Sequence, residues 1–197
     1  ITYETGSHFL GLTAAIISAG LVASLFGLLT QYLLSNQVAT GLALTLFGLG
    51  LASLIGQTYS GISLDTFPIL DVYLLTEIPI IGSLLFNFDY LVYLSIIIVV
   101  SVYYFLNKTK FGLVLTAIGD NHDSAHSLGY SVKMVRLFAI IFGGSCAGLG
   151  GAYLSLVQTP MWVENMTAGR GWIALAIVVF SVWRPLWVLV GAYVFGG

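Results

Sequence analysis

The chain has 197 residues, of which 58% are hydrophobic and only 7% are charged, and its mean hydropathy is +1.01. Soluble domains carry about 25% charged residues, so this composition excludes a water-soluble domain and predicts an all-α, polytopic membrane helical bundle over residues 1–197. The net charge of −2 offers no basic face for nucleic acid, and the single cysteine, Cys146, excludes an intrachain disulfide framework.

The first apolar run, Phe9–Leu34, has no charged residue and is long enough to cross a bilayer. Small residues recur along it at every fourth position: Gly11, Ala15, Ala19, Ala23 and Gly27. This spacing places them in a narrow stripe on one helix face, where a neighbouring helix can approach closely. The alternative is an apolar helix without a specific partner.

A short polar break, Ser35–Gln37, separates this run from a second span, Val38–Gly56. Two structures are compatible with the break. One is a tight turn at the membrane interface. The other is an unwound point within the membrane, with Asn36 and Gln37 facing a cavity, since irregular backbone at depth is tolerated only where it lines water or protein.

Residues 57–89 contain acidic side chains but no lysine or arginine, and they are predicted to form an external loop with a partly buried segment. A third span, Tyr90–Leu106, follows this loop. It ends in aromatic residues, which collect at membrane interfaces.

The segment 107–136 is the one long hydrophilic interruption and holds four of the six basic residues. It is predicted to be a loop that contains a short helix, Asp120–Gly129, capped by Asp120 and ended by Gly129. So short a helix is marginal in isolation and needs a surface to dock against. The alternative is an ordinary solvated loop.

A further span, Leu137–Val157, is dense in small residues. Gly144 and Gly148 form a GxxxG motif, and a second register of small residues repeats the spacing. Two interleaved registers predict close helix packing on two sides. The second register consists of Gly143, Ala147 and Gly151.

The C-terminal part contains two shorter apolar runs. Gly171–Trp183 is too short to span, and a run that begins near Leu186 reaches Gly197 before it is long enough to cross. We therefore expect a fragment, with about six membrane segments, of a longer protein.

The distribution of basic residues orients these segments, because cytoplasmic loops are rich in Lys and Arg. With 107–136 placed in the cytoplasm, only Arg170 among the basic residues lies outside. The chain then begins outside and crosses inward, outward, inward, outward and inward before a sixth crossing begins.

Polar residues in apolar surroundings are the candidates for a substrate pathway. One set is Glu164, Thr167 and Arg170; the other is Asn36, Gln37 and Thr40, whose amides and hydroxyl suit ribose or a base edge. Arg170 either lies near a cavity with Glu164 as its partner, or anchors at the outer interface and extends to water.

Motifs for other chemistry are incomplete in this chain. His122 and His126 have the spacing of a metal-binding helix, but the glutamate of HExxH is missing, and we predict no metal site. The 197 residues of the chain contain no GxxxxGK[ST] motif, which would bind ATP. Ser145 lies in a helix-packing stripe without a histidine at comparable depth, so no catalytic residue is predicted.

Residues 111–153 resemble the coupling-loop region of ABC importer permeases, with the sequence FGLVLTAIGDNHDSAHSLGYSVKMVRLFAIIFGGSCAGLGGAY. They share with that family an acidic residue followed by Asn, a Leu-Gly pair, a basic residue and a glycine-dense helix, in this order. Asn36–Gly56 and Thr167–Gly197 are similar to the nucleoside and simple-sugar permeases, which are related to the branched-chain amino acid permeases.

The resemblance implies that Ala117–Gly129 is a coupling helix that docks on an ATPase. Relatives often have Arg or Glu at the positions of Gly119 and Asp120. The residues that fall on the family pattern are Ala117, Gly119, Asp120, Asn121, Ala125, Leu128 and Gly129.

The resemblance also implies a permease subunit, not an enzyme, in the bacterial cytoplasmic membrane. Expected partners are ATP-binding cassette subunits, a second permease subunit and an extracytoplasmic substrate-binding lipoprotein. ATP would be used by the partner, and no cofactor is expected in this chain. Nucleosides or simple sugars are the expected substrates, with branched-chain amino acids, urea or riboflavin as alternatives. An intramembrane enzyme is a remote alternative, and a structural subunit without transport is another.

Overall fold

The computed structural model describes residues 1–64, 89–120 and 131–196. The described residues form helices and isolated β-bridges, and no longer strand occurs among them. Gln57–Tyr59 adds a 3-10 turn and Leu154–Gln158 a π-helical turn. The helices are α1 (Thr2–Thr5), α2 (His8–Gln31), α3 (Gln37–Gly56), α4 (Tyr90–Lys108), α5 (Lys110–Asp120), α6 (Val132–Tyr153), α7 (Arg170–Phe180) and α8 (Pro185–Gly196).

Within the described residues, four helical segments are long and apolar enough to cross a membrane. They begin with α2, α3, α4 and α6, and they confirm the four long spans and the polytopic all-α architecture predicted from sequence. The largest difference is at α6, which begins at Val132 and not at Leu137. The prediction placed the start of this helix too late because Lys133 and Arg136 were assigned to the loop. Long basic side chains can extend to water from a helix that has already begun.

The described residues divide into two compact units. The first unit contains residues 1–64, 114–120 and 131–166, and so holds α2, α3 and α6. The second contains residues 89–113 and 167–196, with α4, α7 and α8.

In the first unit, α2 and α6 form the most extensive helix contact. They run antiparallel, because Gly27 lies against Leu137 while Gly20 lies against Ser145. Near the middle of the contact, a Cβ on Gly148 would lie 2.7 Å from the Cβ of Ala19. The stripe of small residues predicted on α2 and the GxxxG motif of α6 therefore face each other, which confirms the predicted close packing on this side.

The polar break between α2 and α3 is a turn between two antiparallel helices. Leu34 adopts a left-handed conformation with φ 53°, and the amide of Ser35 donates to the carbonyl of Leu29 at 3.1 Å. Beyond the turn, Gly41 of α3 lies against the ring of Phe26. Of the two structures that the sequence left open, the chain forms the tight turn.

Contacts at the far end of the first unit join the N-terminal residues, the end of α3 and the residues after α6. The hydroxyl of Tyr59 donates to Glu4 Oε1 at 2.6 Å. The amide of Leu64 donates to the carbonyl of Pro160 at 2.7 Å, and Trp162 lies against Gly56. The sequence-based topology predicted that these three segments share one side of the membrane.

The second unit contains a short helical hairpin. A Cβ on Gly191 of α8 would lie 3.0 Å from Cγ2 of Ile177 in α7. Val182 and Trp183 form the turn with left-handed φ values of 51° and 58°. α8 also packs on α4. Each of the two short apolar helices, α7 and α8, is therefore packed against another helix.

Helix α5 and the start of α6 occupy both ends of the segment that sequence reasoning treated as a loop over 107–136. Thr109 separates α4 from α5, and its hydroxyl accepts from the Gly112 amide at 3.0 Å. Apolar residues such as Ile118 stabilise α5 by burial. The predicted helix Asp120–Gly129 lies, beyond Asp120, outside the described residues, as does most of the predicted external loop 57–89.

Candidate functional site

The described part of the predicted coupling site is the last turn of α5. Ile118 is buried, with an exposed fraction of 1%, whereas Ala117 and Gly119 on either side are exposed. Among the described residues, no atom lies within 4 Å of a Cβ built on Gly119. The end of α5 thus combines one buried side chain with exposed neighbours on either side.

Arg136 connects this end of α5 to α6. Its Nη2 donates to the backbone carbonyl of Ile118 at 3.5 Å, and the arginine side chain is half-buried. Arginine near the end of a helix can satisfy carbonyl groups that lack a partner within the helix. This contact links the last turn of α5 to the start of α6.

The C-terminal end of α2 contacts the first turn of α6, close in sequence to Arg136. The hydroxyl of Tyr32 donates to the sulfur of Met134 at 3.1 Å, and Lys133 Nζ lies 5.6 Å from the centre of the Tyr32 ring. This distance is within the range of a cation–π interaction.

Asp120 is the last described residue of α5, and the other predicted coupling residues fall outside the described part of the chain. They are Asn121, Ala125, Leu128 and Gly129. Their role as a docking helix stays a prediction.

Asn36 serves as the N-cap of α3. Its Oδ1 accepts from the amides of Val38 and Ala39 at 3.0 and 3.1 Å. The hydroxyl of Thr40 donates to the Asn36 carbonyl at 2.8 Å and lies 2.9 Å from the Ser35 hydroxyl. These contacts give Asn36 and Thr40 a local structural role, and Gln37 is exposed beside them.

Glu164 lies near the opposite end of α3. Its Oε1 accepts a hydrogen bond from the hydroxyl of Ser53 at 3.1 Å. Thr40 and Ser53 are separated by thirteen positions of one helix, which corresponds to about 20 Å. The two predicted pathway sets are consequently not brought together within the first unit.

Arg170 is the first residue of α7 and follows a left-handed Gly169 with φ 79°. Its amide donates to the carbonyl of Thr167 at 2.8 Å, and both side chains are exposed. The pairing of Arg170 with Glu164 stays a prediction.

An open groove of about 430 Å³ runs between α2, α3 and α6. Small and apolar side chains line it, including Ala23, Leu44 and Ala147. Thr45 supplies a hydroxyl, which already donates to the carbonyl of Gly41 at 2.8 Å. The groove therefore suits apolar surface better than a hydroxyl-rich solute.

Comparison with known proteins extends these observations. The whole chain, residues 1–197, matches the family described as the permease component of the branched-chain amino acid transport system. No solved structure matches the chain at a significant level. The sequence-based resemblance to sugar and nucleoside permeases is confirmed by named relatives.

A protein of Haloferax volcanii, TsgC13, whose name provisionally assigns it as a glucose ABC transporter permease, is 40% identical over 100% of this chain and 61% of its own length. The nucleoside permease NupC of Lactococcus lactis is 30% identical over 94% of this chain and 60% of its own length. The guanosine permease NupQ of Bacillus subtilis is 26% identical over 95% and 61%. The chain spans about three-fifths of the length of these relatives.

The match over the full chain decides the family, and the helices of membrane length agree with it. This multi-pass membrane protein belongs to the family of branched-chain amino acid transport system permease components.

Proposed function

We propose that the protein is a permease subunit of an ABC importer that moves simple sugars or nucleosides across the cell membrane. The match of residues 1–197 to the permease family carries the proposal. The names of the relatives favour sugars and nucleosides over branched-chain amino acids, urea or riboflavin. Relatives occur in bacteria and in an archaeon, and we assign the protein to the cytoplasmic membrane of its cell.

In this proposal a separate ATPase supplies the energy. ATP binding closes two ATP-binding cassette subunits, which displace the segment 117–129 of each permease. The permease pair then alternates between inward-facing and outward-facing states, since a ligand shifts such an equilibrium only by interacting differently with the two states. Ala117 and Gly119 contribute to the contact surface, together with Asp120, Asn121, Ala125, Leu128 and Gly129.

The remaining partners follow from the same assignment. A second permease subunit completes the pathway, and an extracytoplasmic lipoprotein delivers the substrate. No cofactor is bound by the permease itself. Glu164, Thr167 and Arg170 lie on the outer side of the membrane in this account and are its candidates for the pathway. Asn36, Gln37 and Thr40 lie on the cytoplasmic side, where Asn36 and Thr40 hold the turn between α2 and α3.

Two substitutions in the segment 117–129 test the proposed coupling. We expect Ala125→Glu and Leu128→Asp to abolish uptake in cells, because each places a charge in an apolar docking contact, while the amount of membrane-inserted protein is unchanged. Ser124→Ala, in the same segment but outside the family pattern, serves as the matched control. Normal uptake by both charged variants would favour a structural subunit without transport.

A further inference from the structure

We propose that the groove between α2, α3 and α6 holds one acyl chain of an anionic phospholipid, whose phosphate lies at Lys133 and Arg136. Binding of such a lipid requires only that the protein is inserted in a membrane, and does not depend on the proposed transport of sugars or nucleosides. The groove and both basic residues belong to the first unit of the protein.

The groove is apolar and lies within the membrane-spanning part of the unit. Its volume is about 430 Å³, and side chains such as Phe26, Leu44 and Ile140 line it. The three helices that form it are each long and apolar enough to cross a membrane. The hydroxyl of Thr45, which also lines it, donates to the carbonyl of Gly41. An acyl chain can therefore enter without depriving this hydroxyl of its hydrogen bond.

Two basic residues precede the groove on the same side of α6. Lys133, Ile140 and Ala147 are seven positions apart, which is close to two full helical turns, so they share one face of the helix. Arg136 lies one turn before Ile140 and close to that face. Seven positions correspond to about 10 Å along the axis, and the headgroup region of each leaflet is about 6 Å thick. A phosphate bound at Lys133 therefore leaves the acyl chain at the level of the groove.

The residues around Lys133 are typical of a membrane–water interface. Lys133 is exposed, and its Nζ lies 5.6 Å from the centre of the exposed Tyr32 ring at the end of α2. Tyrosine collects at the interface, and lysine extends its charged end to the same level. The groove consequently approaches the level at which phospholipid headgroups lie.

The charge at this end of the unit favours an anion. Lys133 and Arg136 lie here, and the planar guanidinium of arginine can donate two parallel hydrogen bonds to a phosphate. Of the three acidic residues that the structure describes in this unit, Glu4 and Glu164 lie at the opposite end of the helices, and the third is Asp120.

Selection of the lipid must come from its headgroup. Apolar contact alone selects no lipid, because the surrounding tails are as apolar as the groove. Each Lys or Arg near the surface favours an anionic lipid about fivefold, so that two together favour it about twentyfold. A further apolar helix could fill the groove but would bring no anion to Lys133 and Arg136.

The test uses the full-length protein in mild detergent, with phosphatidylglycerol that carries a photoactivatable diazirine in one acyl chain. Adducts formed on illumination are located by mass spectrometry of the digested protein. We expect adducts on residues of the groove such as Leu44 and Ile140. Phosphatidylcholine with the same diazirine, at the same concentration, should give about twentyfold fewer adducts at these positions.

Three substitutions make the result specific. Lys133→Gln should lower labelling by phosphatidylglycerol about fivefold, and the double variant with Arg136→Gln should lower it to the level of phosphatidylcholine. Ala147→Leu narrows the groove and should lower labelling by both lipids. As a matched control, Lys108→Gln removes an exposed basic residue at the end of α4 and should leave labelling unchanged.

Competition on the unsubstituted protein decides the question even if a variant does not fold. An excess of unlabelled phosphatidylglycerol should remove the adducts from the groove, and inorganic phosphate should not. Removal by inorganic phosphate would assign the basic residues to a soluble anion and overturn the lipid site. Equal labelling by the two lipids would overturn it as well. So would the absence of adducts in the groove, which would show that a further helix or a second copy of the protein covers it.

Discussion

A Cβ placed on Gly148 would lie 2.5 Å from the carbonyl oxygen of Ala15, so α6 and α2 meet at this point through backbone atoms. This close contact predicts that a larger residue at position 148 destabilises the protein. Gly148→Ala should destabilise the protein by about 1–3 kcal/mol, the usual effect of overpacking. Thermal unfolding of the purified protein in detergent measures the change.

Gly143→Ala is the matched control for that substitution. Gly143 lies on the same helix, and in the part of the chain that the structure describes no atom lies within 4 Å of its Cβ position. Because alanine favours a helix over glycine by about 1 kcal/mol, the control should be neutral or slightly stabilising. Equal unfolding temperatures for the two variants would contradict the packing described for α2 and α6.

Asn36 provides a prediction that separates a structural role from a substrate contact. Asn36→Ala removes the N-cap of α3 and should reduce stability by about 1 kcal/mol, whereas Asn36→Ser should restore it. The KM for uptake should be unchanged in both variants. A raised KM in Asn36→Ser, with normal stability, would instead place this side chain in the substrate pathway.

The contact between Ser53 and Glu164 predicts coupled effects at the other end of α3. Ser53→Ala and Glu164→Gln should each weaken the hold of α3 on the residues after α6, and the double variant should be no worse than Glu164→Gln alone. Thermal unfolding of the four proteins gives the interaction energy, which for an exposed hydrogen bond to a charged group is about 0.5–1 kcal/mol. Strictly additive effects would mean that the two side chains do not interact.

Arg170 tests the outer part of the proposed pathway. If the guanidinium contacts substrate, Arg170→Ala should raise the KM for uptake about tenfold, as expected when a hydrogen bond to a charged group is lost. Arg184→Ala removes an arginine that the topology places on the opposite side and should leave KM unaltered. Unchanged uptake affinity and rate in Arg170→Ala would assign Arg170 to anchoring at the membrane interface.

The long spans were predictable because they depend on local composition. Apolar runs of membrane length can be recognised without knowing what they pack against. The spacing of Gly144 and Gly148 indicated that α6 packs closely on another helix, but it did not identify α2 as that helix. The cap at Asn36 also had a local signal, since Asn directly before an apolar helical run is a common N-cap. The sequence interpretation assigned this residue to the pathway and overlooked that signal.

Other features depend on residues far apart in the chain. Ser53 and Glu164 are separated by 111 positions, and no local pattern indicates that they meet. The contact of Arg136 with Ile118 was hidden for the same reason. Helix α5 was missed because Lys108 and Lys110 suggested a loop, although the apolar residues from Phe111 onward are those of a helix that buries one face.

Affinity purification of the full-length protein in mild detergent, with mass spectrometry of the proteins that accompany it, tests the central claim most directly. The account predicts that an ATP-binding cassette subunit and a second permease are recovered with it, and that Leu128→Asp loses the ATPase while retaining the permease. Recovery of the protein without any ATPase, under conditions that keep the second permease bound, would contradict the proposal that it is a subunit of an ABC importer.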